Sequence, residues 1–170
     1  EYIKTAKDDS KFGYSVYDET IYDLIADINN QSNLNFVGFH SHIGSQIFEK
    51  TSFFEAVKVV MEFTKKVQER LGLTISVLNL GGGFGVYYTQ EDSPFELAEF
   101  LREYIEVVER ESDNFGLDLT KVVIEPGRSL TCNAGSTLYS VGGGWCGMLR
   151  GALSTGIDPV LLLHFHMNAA

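Results

Sequence analysis

Apolar residues in this chain fall into two alternating rhythms. Ile21, Leu24, Ile25 and Ile28 recur at i, i+3, i+4 and i+7, which predicts an amphipathic helix over roughly 19–30. Asn29-Asn30 and Ser32-Asn33 end it. Phe36-Val37-Gly38-Phe39-His40 then reads as a strand. Ser52 and Glu55 have the capping-box spacing and predict the start of a long helix. Its apolar face is Phe53, Val57, Val60, Val67 and Leu71, and Gly72 stands where a C-terminal cap belongs. Residues 75–80 form a second apolar strand. Ser93, Pro94 and Glu96 mark another helix start, with Leu97, Phe100, Leu101, Tyr104, Ile105 and Val108 on its apolar face. Lys121-Val122-Val123-Ile124-Glu125 is a third strand, ending in Pro126-Gly127-Arg128. Helices with one apolar face alternate with short apolar strands. That order predicts a parallel α/β sheet, open or closed into a barrel.

The second strand carries the most unusual stretch, Val77-Leu78-Asn79-Leu80-Gly81-Gly82-Gly83-Phe84-Gly85. Glycine costs backbone entropy wherever it stands, so a run of it needs a reason. One reason is a tight turn. Another is a ligand that approaches the backbone closely, with bare N–H groups offered to an anion.

Composition narrows the choices. The chain has 170 residues, 44% hydrophobic and 21% charged, with a net charge of −10. This suits a soluble globular unit with a real core. So acidic a chain is a poor match for a phosphate backbone, which argues against nucleic acid as a partner. No apolar run reaches membrane-spanning length, so no membrane partner is expected. Cys132 and Cys146 form no metal or redox spacing, and a reducing, cytoplasmic setting follows. His164 and His166 are an isolated pair, so no metal site is expected. The chain opens on Glu1 in what reads as mid-domain sequence, which suggests a fragment.

The chemistry-bearing residues cluster at strand ends. His42 and Ser45 follow the first strand, Gly82 and Gly83 the second, and Glu125, Pro126, Gly127 and Arg128 close the third. In parallel α/β architectures all C-terminal strand ends lie on one side, and that side carries the chemistry. Taken singly, each cluster has a plain structural reading: a satisfied histidine, a turn, an ion pair. Together they predict one site. Backbone N–H groups and a serine hydroxyl suit a phosphate, an imidazole can stack on an aromatic ring, and a carboxylate can keep a heteroaromatic nitrogen protonated. A phosphorylated aromatic cofactor meets all three demands, and pyridoxal phosphate fits best.

His40-Ser41-His42-Ile43-Gly44-Ser45-Gln46, Gly81-Gly82-Gly83-Phe84-Gly85 and Glu125-Pro126-Gly127-Arg128 resemble, in order and spacing, the pyridoxal-phosphate-dependent barrel decarboxylases. Gln46 and the early Ser10-Lys11-Phe12-Gly13 favour the diaminopimelate branch. The resemblance covers residues 1–142. It implies a partial (β/α)8 TIM barrel of the alanine-racemase-like type, spanning about the last three strand–helix units. It also implies a homodimer. By the resemblance His42 stacks on the cofactor ring. Ser45, Gly83 and the backbone at Gly127-Arg128 hold the phosphate, Gly82 and Pro126 belong to the same cofactor site, and Glu125 pairs with the ring nitrogen. Arg128 contacts the small amino-acid substrate, and Arg150 is a candidate second substrate arginine. The implied reaction converts meso-2,6-diaminopimelate to L-lysine and CO2.

Two family parts have no counterpart here. The lysine that forms the Schiff base lies upstream of Glu1 in the family, and the family's catalytic cysteine sits in a Cys-Glu-Ser context that neither Cys132 nor Cys146 has. No catalytic residue is therefore assigned within the chain, and the 170 residues alone are expected to be inactive. Residues 143–170 diverge from the family and read as a divergent or artefactual tail. Two other functions stay open at this stage: a related ornithine, arginine or carboxynorspermidine decarboxylase, and a catalytically dead homologue that serves as a binding protein.

Overall fold

A computed structural model describes residues 13–134. Packing divides the chain into one unit of Glu1–Cys132 and a second beginning at Asn133, and nearly all the described residues belong to the first. The element order is α1 (Thr20–Asn29), β1 (Gly38–His40), α2 (Lys50–Leu71), β2 (Val77–Asn79), α3 (Leu97–Phe115), β3 (Lys121–Val123), α4 (Gly127–Thr131) and a short 3-10 turn, Cys132–Ala134. The three strands form one parallel sheet in the order β1-β2-β3. Its register rows are Gly38, Val77 and Lys121; Phe39, Leu78 and Val122; and His40, Asn79 and Val123. Each parallel neighbour is reached through a long helix, as the alternation predicts. The result is an α/β segment of a (β/α)8 barrel. The proposed boundary at residue 142, the Ser10-Lys11-Phe12 motif and the divergent tail lie outside the described residues.

The strands are shorter than their apolar runs, but the hydrogen-bond ladder is not. Ser76 and Val77 both donate to Val37 at 3.1 Å. Beyond the assigned strands Ser41 donates to Asn79 (2.9 Å), Leu80 to Val123 (2.8 Å) and Glu125 to Gly81 (2.6 Å). The regular ladder breaks near Gly81, whose φ of +67° turns the chain out of the strand.

Both helix starts differ from their sequence signals. The α2 helix begins at Lys50, so Ser52 lies within its first turn, and Glu49 at the cap makes no side-chain bond. A long-range contact helps fix the earlier start: Lys50 Nζ donates to Glu103 on α3 at 2.8 Å. The α3 cap is Glu96, not Ser93. Its carboxylate accepts from the N–H groups of Ala98 (3.1 Å) and Glu99 (2.6 Å), and these bonds hold its pKa below the ordinary carboxylate value. Phe95, just before the cap, stacks on Phe100 four residues into the helix, 4.3 Å between centroids. This is a hydrophobic staple. The Gly72 cap stands as read, left-handed at φ 67°.

The core lies between the sheet and its helices. Phe53, Met61, Ile75, Leu78 and Phe100 are fully buried. Phe53 and Phe100 lie at its centre, 5.2 Å apart, and both rings also meet Phe84, Phe95 and Tyr104. On α1, Tyr22 rather than Leu24 turns inward, toward Phe63 on α2 (6.0 Å), while Leu24 is exposed. Strand alternation then sorts the two faces. Phe39 and Leu78 pack among the helices, so the row holding His40 and Asn79 belongs to the opposite face, which is helix-free among the described residues.

Candidate functional site

Among the described residues, the groups at the C-terminal ends of the strands are cross-linked by side chains as well as by the ladder. Asn79, the last residue of β2, uses both ends of its amide. Its Nδ2 donates to Glu125 Oε1 at 2.7 Å, and its Oδ1 accepts from the Gly81 N–H at 2.9 Å. His40 Nε2 lies 3.6 Å from Glu125 Oε2, both side chains about half exposed. A contact so solvated contributes little to stability, so its interest is positional. Glu125, two residues past Val123, shares the helix-free face with Asn79 and His40.

The loops after β1 and β2 are joined to each other. Gln46, in the left-handed region at φ 57°, donates from Nε2 to Val86 O (3.1 Å) and accepts at Oε1 from Val86 N–H (3.0 Å). Ile47 N–H donates to Gly83 O and Gly85 N–H to Ile47 O, both at 3.0 Å. Phe84, buried between these bonds, anchors the glycine loop in the aromatic core. His42 is exposed, and its Nδ1 accepts from Gly82 N–H at 3.2 Å.

The glycines have a packing reason that spacing alone does not reveal. A Cβ on Gly82 would overlap the Glu125 carbonyl oxygen, one on Gly83 the Gly44 carbonyl oxygen, and one on Gly81 the Ser41 carbonyl oxygen. Bare backbone lets the three loops touch. Gly127 differs, since a Cβ there would meet nothing within 4 Å. The N–H of Gly83 and the hydroxyl of Ser45, on adjoining loops, have no hydrogen-bond partner among the described residues. Pro126 precedes α4 as its cap residue, and Gly127 N–H turns back to Glu125 O at 2.9 Å. Arg128 Nη1 donates to Tyr88 Oη at 2.9 Å, with the guanidinium carbon 5.7 Å from that ring centroid. The Tyr88 loop is braced in turn by Asp92, whose Oδ2 accepts from the N–H groups of Tyr88 (2.9 Å) and Thr89 (2.7 Å). Arg150 lies outside the described residues.

His40, Asn79, Gln46 and Tyr88 are not among the site candidates that the sequence singles out. Gln46, Tyr88 and Asn79 act on partners 40, 40 and 46 residues away and His40 on one still more distant, which local spacing cannot show. The one available sequence signal is parity: Asn79 shares a strand face with Val77, and His40 with Gly38, on the side without helices. Among the described residues no three His, Cys, Asp or Glu side chains group as a metal site. No helix among them is long and apolar enough to cross a membrane.

A parallel β/α layer with polar groups gathered at its C-terminal strand ends defines a segment of a (β/α)8-barrel enzyme. The chain belongs to the pyridoxal-dependent decarboxylases: the family described as pyridoxal-dependent decarboxylase, pyridoxal binding domain, matches residues 1–132. It is 37% identical over 142 residues to the diaminopimelate decarboxylase of Bacillus subtilis (strain 168), covering 84% of this chain and 32% of that protein. To the Bacillus methanolicus protein of the same name it is 39% identical, covering 84% and 33%. The chain thus spans about a third of the length of these curated relatives. Among solved structures it resembles diaminopimelate decarboxylase from Helicobacter pylori complexed with L-lysine, with a TM-score of 0.62 at 26% identity over 76% of this chain and 31% of that one. The M. jannaschii enzyme in co-complex with L-lysine gives 0.63 at 30% identity over 72% and 27%.

The residues present fit pyridoxal phosphate, the cofactor of this family. Donors of N–H and hydroxyl type without a protein partner among the described residues suit a phosphate. A carboxylate held by an amide suits a protonated ring nitrogen, and the exposed face of His42 is open to an aromatic ring.

Proposed function

We propose that this chain forms the cofactor-binding part of a decarboxylase that converts meso-2,6-diaminopimelate to L-lysine and CO2. The observation that carries this reading is Glu125, held by Asn79 at the same strand ends as the donors of Gly83 and Ser45. The names of the relatives at 37–39% identity supply the substrate. When bound, pyridoxal phosphate supplies the electron sink that lets a carboxylate leave as CO2. The chain's residues then have distinct tasks. Ser45, Gly83 and the backbone at Gly127-Arg128 hold the phosphate, with Gly82 and Pro126 lining the cofactor site. His42 covers one face of the ring. Glu125 holds a proton on the ring nitrogen, which strengthens the sink. Arg128, braced by Tyr88, binds a substrate carboxylate, for which a guanidinium fork is well matched, and Arg150 is the second arginine for the substrate. The lysine that tethers the cofactor and the catalytic cysteine come from sequence outside these residues, and the enzyme works as a cytoplasmic homodimer.

The test is CO2 release by the full-length protein containing this chain, offered meso-diaminopimelate, L-ornithine and L-arginine in parallel. Preferential turnover of meso-diaminopimelate to L-lysine is expected. Preference for ornithine or arginine, or no turnover of any of them, overturns the reading.

A further inference from the structure

We propose that Asn79 is a positioning residue that aims the Glu125 carboxylate at the cofactor ring, and that an amide is required there because it must donate and accept at once. The inference rests on the cofactor reading above. Asn79 ends the central strand, with a neighbouring strand on either side. Its Nδ2 reaches Glu125 at 2.7 Å, across 46 residues of sequence, while its Oδ1 takes the Gly81 N–H at 2.9 Å. Gly81 is where the chain leaves the ladder with φ +67°. One side chain therefore ties the glycine loop to the carboxylate on the next strand.

The alternatives fail for definite reasons. Aspartate can still accept from Gly81 but cannot donate to Glu125, and it brings a second negative charge against the first. Leucine or alanine does neither. Among the described residues nothing else supplies the Glu125 carboxylate with so short a bond: His40 stands at 3.6 Å, and the Glu125 N–H is occupied with Gly81 O. A carboxylate that is half exposed and lacks Asn79 is free to turn to water. Asn79 itself does not touch the cofactor in this scheme; it acts through Glu125.

The experiment uses the full-length protein and two readouts. In the first, the apoprotein is titrated with pyridoxal phosphate and followed by absorbance, comparing wild type, Asn79→Ala and Asn79→Asp. Asn79→Asp should weaken binding at least about tenfold, the equivalent of ~1.4 kcal/mol. A role confined to the Gly81 turn predicts wild-type affinity for Asn79→Asp, and that result would overturn the proposal. The second readout needs no cofactor. Urea unfolding is measured for Asn79→Asp, Glu125→Gln and the pair together. The amide introduced by Glu125→Gln can donate to the carboxylate introduced by Asn79→Asp, so the double variant should recover most of the midpoint that Asn79→Asp loses. Additive losses without recovery would also overturn the proposal. Failure of the functional reading looks different: wild type would bind no pyridoxal phosphate, or would bind it and not release CO2, while the unfolding cycle still showed recovery.

Discussion

Gly82→Ala separates packing from ligand binding as the reason for the glycine run. An ideal Cβ on Gly82 would stand 2.1 Å from the Glu125 carbonyl oxygen, so that oxygen must retreat by about 0.9 Å to reach the 3.0 Å that real Cβ atoms respect. The two strand ends are held there by Glu125 N–H to Gly81 O at 2.6 Å and Leu80 N–H to Val123 O at 2.8 Å. A shift of that size takes the first bond to the edge of hydrogen-bonding distance. Overpacking of a rigid site costs roughly 1–3 kcal/mol, and a bond lost there adds about 1 kcal/mol. The expected destabilisation is therefore about 2–4 kcal/mol. With a urea slope of ~2 kcal/mol/M the midpoint should fall by about 1–2 M. Gly127→Ala is the control. Its Cβ meets nothing within 4 Å and Gly127 opens α4, so its midpoint should stay at or slightly above wild type. Both variants are unfolded in urea without cofactor and titrated with pyridoxal phosphate separately. An unchanged midpoint for Gly82→Ala would refute the packing argument, and weakened cofactor binding beside it would assign Gly82 to the ligand alone.

Three further outcomes are expected. Phe84→Ala removes a ring 5.1 Å from Phe53 and 5.5 Å from Phe100; a loss of about 3–5 kcal/mol should appear as a lower melting temperature, with weaker cofactor binding as the loop loses its anchor. Tyr88→Phe keeps the ring but removes the hydroxyl that accepts from Arg128; KM for meso-diaminopimelate should rise about fivefold, for a bond worth ~1 kcal/mol, with kcat little changed. Glu96 has its pKa lowered by bonds from the N–H groups of Glu99 and Ala98, from an ordinary value of 4.5. The stability it contributes is complete above that value and is lost as pH falls through the lower folded value. Glu96→Gln should therefore be less stable than wild type at neutral pH, and the gap between their urea midpoints should close in acid.

Much of the scaffold is legible in apolar spacing. The alternation of Ile21-type and Phe36-type patterns yields the order of elements, and a parallel sheet follows because long helical segments join its strands. Strand-end geometry then gathers His42, Gly83 and Glu125 in one region. Other features depend on contacts that a local window cannot contain. Ser52 and Glu55 have the capping spacing, yet α2 starts at Lys50, which has an ion-pair partner on α3. Ser93 and Pro94 look like a helix start, but Glu96 caps α3 with its own carboxylate and Phe95 staples it to Phe100. The glycine run looks like room for an anion. Much of that room is taken by the carbonyls of Ser41, Gly44 and Glu125, a fact that exists only once three loops meet. Asn79 is in plain view within the central strand, but its partner lies 46 residues on.

The most direct test of the account is a crystal structure of the full-length protein with pyridoxal phosphate bound. The ring nitrogen should lie within hydrogen-bonding distance of Glu125 and the phosphate on the Gly83 N–H and the Ser45 hydroxyl, with the Asn79–Glu125 bond of 2.7 Å retained. A ring nitrogen facing another group, or a phosphate seated away from the loops at 44–46 and 81–83, would contradict it.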